Sequence, residues 1–171
     1  MTLSKAASFD AIVIAGGKSS RLGVDKALVE VEGVRLLDRV LLAVRDAAEI
    51  AVVGPHRPAA ADVQWCRERP PGGGPVAALA AGLAATRADV VVVLAVDLPF
   101  IAAAVPRLLA VRADTDAPVV ALVDDTGQVN YLAAAWRRDA LISALGSVGP
   151  VEGAPMRRLY ADAAVVPLLD A

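Results

Sequence analysis

The chain predicts an α/β fold: a three-layer, Rossmann-like, mostly parallel sheet with helices on both faces. Three observations predict it. Apolar runs without alternation, at residues 11–15 and 90–96, read as central strands covered on both sides. Segments with apolar residues at helical spacing stand between such runs. Polar or Gly-rich clusters close the strongest runs at their carboxyl ends, where open α/β sheets bind their ligands.

Taken in order, residues 1–8 read as a short flexible lead-in and residues 9–15 as the first strand. A loop over 16–26 opens on Gly16-Gly17 and carries Lys18, Ser19, Ser20, Arg21, Asp25 and Lys26. Residues 27–31 are short and apolar before Gly33 turns the chain. Leu36, Leu37, Val40, Leu41 and Val44 recur at helical spacing, which predicts a helix within 35–48. Residues 50–53 form a second strand that stops at Gly54-Pro55. A loop over 55–62 leads to a third strand over 63–66. The turn Pro70-Pro71-Gly72-Gly73-Gly74-Pro75 then opens an Ala-rich helix over 75–87. Pro75 suits the first helical position, where its missing N–H costs nothing.

Residues 90–96 are the strongest strand and end at Asp97-Leu98-Pro99. A helix over 101–112 and a strand over 118–123 follow. Asp124-Asp125-Thr126-Gly127 is a turn, with a hairpin returning through 129–135. Helices over 137–146 and 155–161 and a strand over 163–166 close the chain. Neither a linker nor a repeat interrupts this pattern, so residues 1–171 read as one domain.

Composition removes several function classes. The chain is 57% hydrophobic but only 4% aromatic, and 171 residues suffice for a substantial core. No apolar run approaches the roughly 18 residues of a membrane span, and Asp97 breaks the strongest one. Ser8 and Asp10 interrupt any signal-peptide core, so a cytoplasmic protein with no membrane partner is expected. A net charge of −2 argues against a nucleic-acid partner. One cysteine, Cys66, and one histidine, His56, exclude a disulfide framework and a Cys/His zinc site.

A buried strand that delivers a Gly-rich, doubly basic loop is what a phosphate site needs. Glycines let backbone N–H groups approach phosphate oxygens, and cations neutralise them. Gly17-Lys18-Ser19 is nevertheless not a Walker A loop, because G-x-x-x-x-G-K-[ST] would need glycine at position 12, where Ile12 stands. Gly72-x-Gly74-x-x-Ala77 fits a dinucleotide fingerprint only weakly. Two prolines precede it, and the acidic residue due after the next strand has no counterpart unless Asp97 serves.

A more specific pattern spans residues 15–26. Ala15-Gly16-Gly17-x-Ser19-x-Arg21-Leu22-Gly23-x-Asp25-Lys26 resembles the L-A-G-G-x-S-x-R-M-G-x-D-K motif of nucleotidyltransferases related to molybdenum cofactor guanylyltransferase, with Ile14 and Leu22 as departures. The resemblance continues through Pro71-Gly-x-Gly-Pro75 and Asp97-x-Pro99. It extends less specifically to Asn130-Tyr131-Leu132 and Gly153-Ala-Pro-Met156-Arg157. Where the family commonly carries Asp before the Pro-Gly turn, this chain has Glu68-Arg69. The family's Asn-rich segment after the last strand has no counterpart up to Ala171.

The resemblance implies Mg²⁺-dependent transfer of GMP from GTP to the phosphate of a molybdopterin-type acceptor, with release of pyrophosphate. The product would pass to a molybdoenzyme or a cofactor-delivery protein. By the same resemblance, the main chain of Ile14, Ala15, Gly16 and Gly17 would meet the nucleotide, Lys26 would charge-pair with the triphosphate, and Arg21 would assist on the leaving pyrophosphate. Asp97 would ligate Mg²⁺, Glu68 would accept from base or ribose donors, and Gly74 would allow the base to approach.

Each role has a plainer counterpart: a strand-ending turn for the glycines, solvated cations for Arg21 and Lys26, a helix cap for Asp97, a solvated carboxylate for Glu68. Asp25 reads as orienting the loop rather than touching substrate. Asn130 and Tyr131 sit on the acceptor side, although they read more readily as a hairpin-edge Asn and a half-buried Tyr, and Arg157 and Arg158 are weaker candidates there. His56, Cys66, Trp65 and Trp136 read as structural. A cytidylyltransferase or sugar-phosphate nucleotidyltransferase of the same fold, or a non-catalytic nucleotide-binding paralogue, are the alternatives.

Overall fold

The computed structural model describes residues 7–17 and 23–170 of the chain. Most of the predicted lead-in therefore lies outside the described residues. The fold is built on β1 (Phe9–Ile14), all six residues of which are buried. It lies between β4 (Ile50–Val53) and β6 (Val90–Ala95), parallel to both, with Ile12 opposite Ala51 on one side and Val93 on the other. Adding β5 (Gln64–Cys66), β7 (Val119–Val123), β8 (Val129–Arg137) and β9 (Val165–Leu169) gives one seven-stranded sheet in the order β5-β4-β1-β6-β8-β7-β9. Every strand of this sheet runs one way except β8, which is antiparallel to both neighbours because it returns from β7 by a tight hairpin.

Alternation along the strands feeds two cores. Ala11, Val13, Val52, Val92 and Leu94 face α1 (Leu36–Ala43) and α3 (Ala104–Ala113) through Leu37, Val40, Leu41, Val105 and Leu108. Ile12, Ile14, Val53, Val91, Val93 and Trp136 face α2 (Pro75–Ala84), α4 (Arg138–Val148) and a 3-10 turn over Met156–Tyr160. At Gly82 helix α2 lies directly on β1. A Cβ there would stand 2.5 Å from Ile12 Cγ2, so only glycine permits that approach. The predicted three layers are therefore present, with helices on both faces.

Several boundaries differ from the sequence reading. The helix predicted within 35–48 stops at Ala43, where the chain must turn to bring Ala48 N onto Phe9 O. The one predicted over 101–112 opens as a 3-10 turn at Ile101–Ala103, and Pro106 falls in the first turn of α3, where no intrahelical N–H is needed. The helix predicted over 155–161 is 3-10 throughout. The last strand is displaced to Val165–Leu169, and Pro167 is accommodated because β9 is an edge strand. The short apolar stretch before Gly33 is a ribbon of β2 (Glu30–Val31) and β3 (Val34–Arg35). Its turn residues Glu32 and Gly33 have φ of 52° and 77°, the pair of positive values that a type I′ hairpin requires.

Asp10 is a buried carboxylate at the amino end of the sheet, only 1% exposed. Its oxygens accept from the backbone N–H groups of Glu49, Arg87 and Ala88 at 2.6–3.0 Å. It thus ties the segments that lead into β4 and β6 to β1, and replaces the water it gives up with charge-assisted bonds. Among the described residues no helix is long and apolar enough to cross a membrane.

Candidate active site

The carboxyl ends of β1, β4 and β6 lie side by side. Ala15 N donates to Val53 O, Val96 N to Ile14 O, and Gly54 N to Cys66 O. These bonds hold the segment leaving β1 against the ends of its neighbours, so three polar clusters distant in sequence meet at one sheet edge.

The first cluster joins the Ala15–Gly17 main chain to the turn before α2. Gly16 lies against Gly54: a Cβ added to Gly16 would stand 3.5 Å from Gly54 Cα and 3.9 Å from Glu68 Oε1. Glu68 is 8% exposed, far from the solvated carboxylate that its sequence context also allows. Its Oε1 accepts from Gly72 N at 3.0 Å and so braces the Pro-Gly turn. Among the described residues its Oε2 is buried without a hydrogen-bond partner, the Arg67 guanidinium standing 3.9 Å away. An orphaned carboxylate oxygen in a buried position is costly, and the other oxygen of this carboxylate stands beside the Gly16 main chain. The same turn is tied on its other side, where Gly153 N donates to Gly73 O at 2.7 Å. Gly74 lies between them at the start of α2, its Cβ position 3.8 Å from Gly153 Cα.

The second cluster is Lys26 with Asp97. Lys26 Nζ is 3.0 Å from Asp97 Oδ2, and both side chains are about half exposed. Such a pair stabilises by only about 0–1 kcal/mol, so an incoming polyanion or cation separates it at little cost. Lys26 is held in place by its neighbour Asp25, whose Oδ1 accepts from Ala27 N and whose Oδ2 pairs with Arg57 Nε at 2.6 Å. Arg21, together with Lys18, lies outside the described residues.

The third feature lies further along the edge. A cavity of about 470 Å³ opens at the ends of β7, β8 and β9, lined by Asp124, Asn130, Tyr131, Leu132, Met156 and Asp170 among others. Asn130 and Tyr131 are therefore on the same edge as Asp97, since β8 runs past the end of β6 there. Asp124 Oδ1 accepts from the backbone N–H groups of Thr126 and Gln128 and from the Thr126 hydroxyl. These bonds hold its carboxyl below the usual range. Arg158 is not on this edge. It lines a smaller cavity of about 180 Å³ beside Trp136, which pairs with Val91 and Val119 at the opposite ends of their strands.

Sequence reasoning missed two parts of the site. Gly54 was visible only as a strand terminator, whereas its lack of a side chain is what lets Gly16 approach β4. Tyr160, whose buried ring packs on Tyr131 in the wall of the larger cavity, carries no local sign of that contact. His56 stacks at a tilt on Trp65 with ring centroids 5.0 Å apart, and burial pushes the Cys66 thiol up.

A divalent cation can be tested against these residues. Among the described residues no group of three or more His, Cys, Asp or Glu side chains gathers to form a metal site. Asp97 offers one half-exposed carboxylate just past the end of β6, beside the end of β1. That donor set fits Mg²⁺ in the manner of nucleotide sites, where one or two carboxylates and substrate phosphates share the ion.

Comparison with known proteins bears on what such a site serves. Residues 11–165 match the protein family described as MobA-like NTP transferase domain. A protein of Trichormus variabilis named "Probable molybdenum cofactor guanylyltransferase" is 43% identical over 94 residues, covering 52% of this chain and 45% of that protein. One of the same name from Mycobacterium tuberculosis is 38% identical over 137 residues, covering 75% of this chain and 67% of that protein. The chain spans about half the length of the first of these relatives. Among solved structures, molybdopterin-guanine dinucleotide biosynthesis protein A from Archaeoglobus fulgidus superposes with a TM-score of 0.71 at 18% identity, covering 94% of this chain and 83% of that one. The 2-C-methyl-D-erythritol 4-phosphate cytidylyltransferase of Thermus thermophilus gives 0.68 at 20%, covering 94% and 88%. These two likenesses establish the shared fold.

Proposed function

Since the chain belongs to the MobA-like NTP transferase domain family, we propose that it transfers GMP from GTP to the phosphate of molybdenum-molybdopterin and releases pyrophosphate. The observation that carries this reading is the Lys26–Asp97 pair, 3.0 Å apart, at the carboxyl edge of the sheet where the ends of β1 and β6 lie side by side. It joins the point charge a triphosphate needs to the one carboxylate a phosphate-borne Mg²⁺ needs.

In this reaction a phosphate oxygen of the acceptor forms a bond to the α-phosphorus of GTP as the bond to pyrophosphate breaks. The attacking phosphate is already anionic at neutral pH, so no Ser, Cys or His base is called for. Catalysis is then positioning and charge stabilisation. The Ile14–Gly17 main chain would bind the nucleotide, with Gly54 keeping that segment in place. Lys26 would leave Asp97 for the triphosphate, freeing Asp97 for Mg²⁺. Bound there, Mg²⁺ would neutralise charge on the phosphoryl oxygens. Arg21 is assigned to the leaving pyrophosphate. The acceptor is assigned to the cavity beside Asn130 and Tyr131, on the same edge as Asp97. The protein would act in the cytoplasm, and the product would go to a molybdoenzyme or a delivery protein.

The guanine preference rests on Glu68. Guanine offers two adjacent donors, N1–H and the 2-amino group, to a carboxylate, whereas cytosine offers only its 4-amino group. The unpartnered Oε2 supports a donor-bearing base. Calorimetry with Mg-GTP and Mg-CTP tests this. Tighter binding of GTP is expected, and Glu68→Gln should weaken it by roughly 10–150-fold, the range of a hydrogen bond to a charged group, with little effect on CTP. Tighter CTP than GTP binding in the wild-type chain would sink the guanylyl assignment. Lys26→Ala should weaken either triphosphate by roughly 1.5–3 kcal/mol. Unchanged affinity would remove Lys26 from the phosphate site. Pyrophosphate release that depends on molybdopterin is the assay for the whole reaction.

A further inference from the structure

Strand β8 is not regular. Two residues' advance along β7, from Ala121 to Val123, is matched by five along β8, from Ala134 back to Val129. On its other side the ladder with β6 ends at Leu94 opposite Ala133. Asn130, Tyr131 and Leu132 therefore have no registered partner on either neighbouring strand, and they form one wall of the 470 Å³ cavity. A backbone segment so placed must find hydrogen bonds elsewhere.

Two side chains supply them. Asn130 Oδ1 accepts from Leu132 N at 3.1 Å, a local turn closed within the bulge itself. The second comes from outside: Tyr160 Oη donates to Tyr131 O at 3.0 Å. Tyr160 is 8% exposed, and its ring packs against Tyr131 and Trp136 with centroids 4.8 and 5.0 Å away. Burial pushes its phenol well above the usual tyrosine range, so the hydroxyl keeps its proton at any working pH. Tyr160 ends the same 3-10 turn that begins at Met156, a second wall of the cavity. A few residues earlier, Gly153 N holds Gly73 O in the turn braced by Glu68. Segment 153–160 thus contacts both halves of the edge, and Tyr160 is its one hydrogen bond to the bulge among the described residues.

We propose that Tyr160 is a positioning residue: its hydroxyl fixes the Tyr131 carbonyl and so sets the shape of the 130–132 wall against which the acceptor lies. The part that concerns the acceptor rests on the function proposed above. A ring held by aromatic packing on two sides keeps its place without its oxygen, so Tyr160→Phe removes the hydroxyl's polar contacts alone. In the full chain, this variant is expected to speed amide exchange within 129–134 while the amides of β1 and β4 keep their protection. The KM for molybdopterin should rise roughly 3–10-fold, the scale of one neutral hydrogen bond, with kcat and GTP affinity within about twofold of wild type.

Leu108→Val, in the core on the other face of the sheet, serves as the stability control. If it shifts the acceptor KM as far as Tyr160→Phe does, the effect is general loosening and the proposal is overturned. Unchanged exchange within 129–134 in Tyr160→Phe overturns it as well. A wild-type chain that releases no pyrophosphate with molybdopterin defeats the acceptor reading instead. The exchange measurement then decides alone whether Tyr160 holds the wall, local acceleration supporting it and no change refuting it.

Discussion

Asp97→Ala is expected to lower metal-dependent turnover by roughly 10³-fold or more, the combined scale of losing a metal ligand and the charge stabilisation it supports. The fold should survive. Asp97 stands beyond the end of β6 with its side chain about half exposed, and its hydrogen-bond partner is the equally exposed Lys26. Removing a surface ion pair changes stability by about 0–1 kcal/mol, so the melting temperature should move by no more than a few degrees in a chain of this size. The two readouts therefore separate cleanly: pyrophosphate release collapses while the thermal transition barely shifts. Asp97→Asn sharpens the test, because it keeps the shape and removes the charge. Equal loss in both variants ties the role to the carboxylate. Near-normal rates in either, with Mg²⁺ at saturating concentration, would remove Asp97 from the site and leave the edge without a metal ligand among the described residues.

What the sequence makes legible is set by how local each feature is. The all-apolar runs of β1 and β6 announce central strands because burial on both faces needs no partner to be specified. Pro75 announces the start of α2, and Asp124–Gly127 the hairpin, because turn chemistry is written in consecutive residues. Gly16, Lys26 and Asp97 were each nameable from motif order, and the sheet brings them to one edge.

What escaped depends on register or on contact between distant segments. The bulge at 130–132 follows from how β8 pairs with β6 and β7 together, which no window of β8 encodes. The distinction between a 3-10 turn and a helix at Met156–Tyr160 depends on docking against α4 and β8. Asp10 looked like a charge interrupting an apolar run, and its three backbone donors come from 39, 77 and 78 positions further along the chain. Glu68 is the sharpest case. Its neighbours Arg67 and Arg69 suggest a solvated stretch, yet the turn that follows folds back to give it Gly72 N and to bury it.

Gly54→Ala should be the most damaging single-methyl change at this edge. A Cβ at position 54 would stand 2.8 Å from Gly16 N, 2.9 Å from Ala15 C and 3.2 Å from Ala15 O. All three are backbone atoms of the segment leaving β1. They have little room to yield, because Ala15 N is bound to Val53 O and Ile14 O to Val96 N. Gly54 also has φ of 150°, a conformation that residues with a side chain rarely adopt. Overpacking and backbone strain together predict a loss of about 2–5 kcal/mol, or a fall of roughly 5–15 °C in melting temperature. Relief of the clash must push the Ala15–Gly16 main chain away from β4, so GTP affinity should fall with stability even though residue 54 is not itself assigned to the nucleotide. Gly127→Ala supplies the comparison: its φ is 83°, but nothing lies within 4 Å of the added Cβ. It should cost only the conformational part and leave GTP binding intact. If Gly54→Ala proves no worse than Gly127→Ala in both measurements, the close approach of β1 and β4 is not what holds the Ala15–Gly17 main chain. If it is worse in both, the Ala15–Gly17 main chain owes its place to an atom that residue 54 lacks.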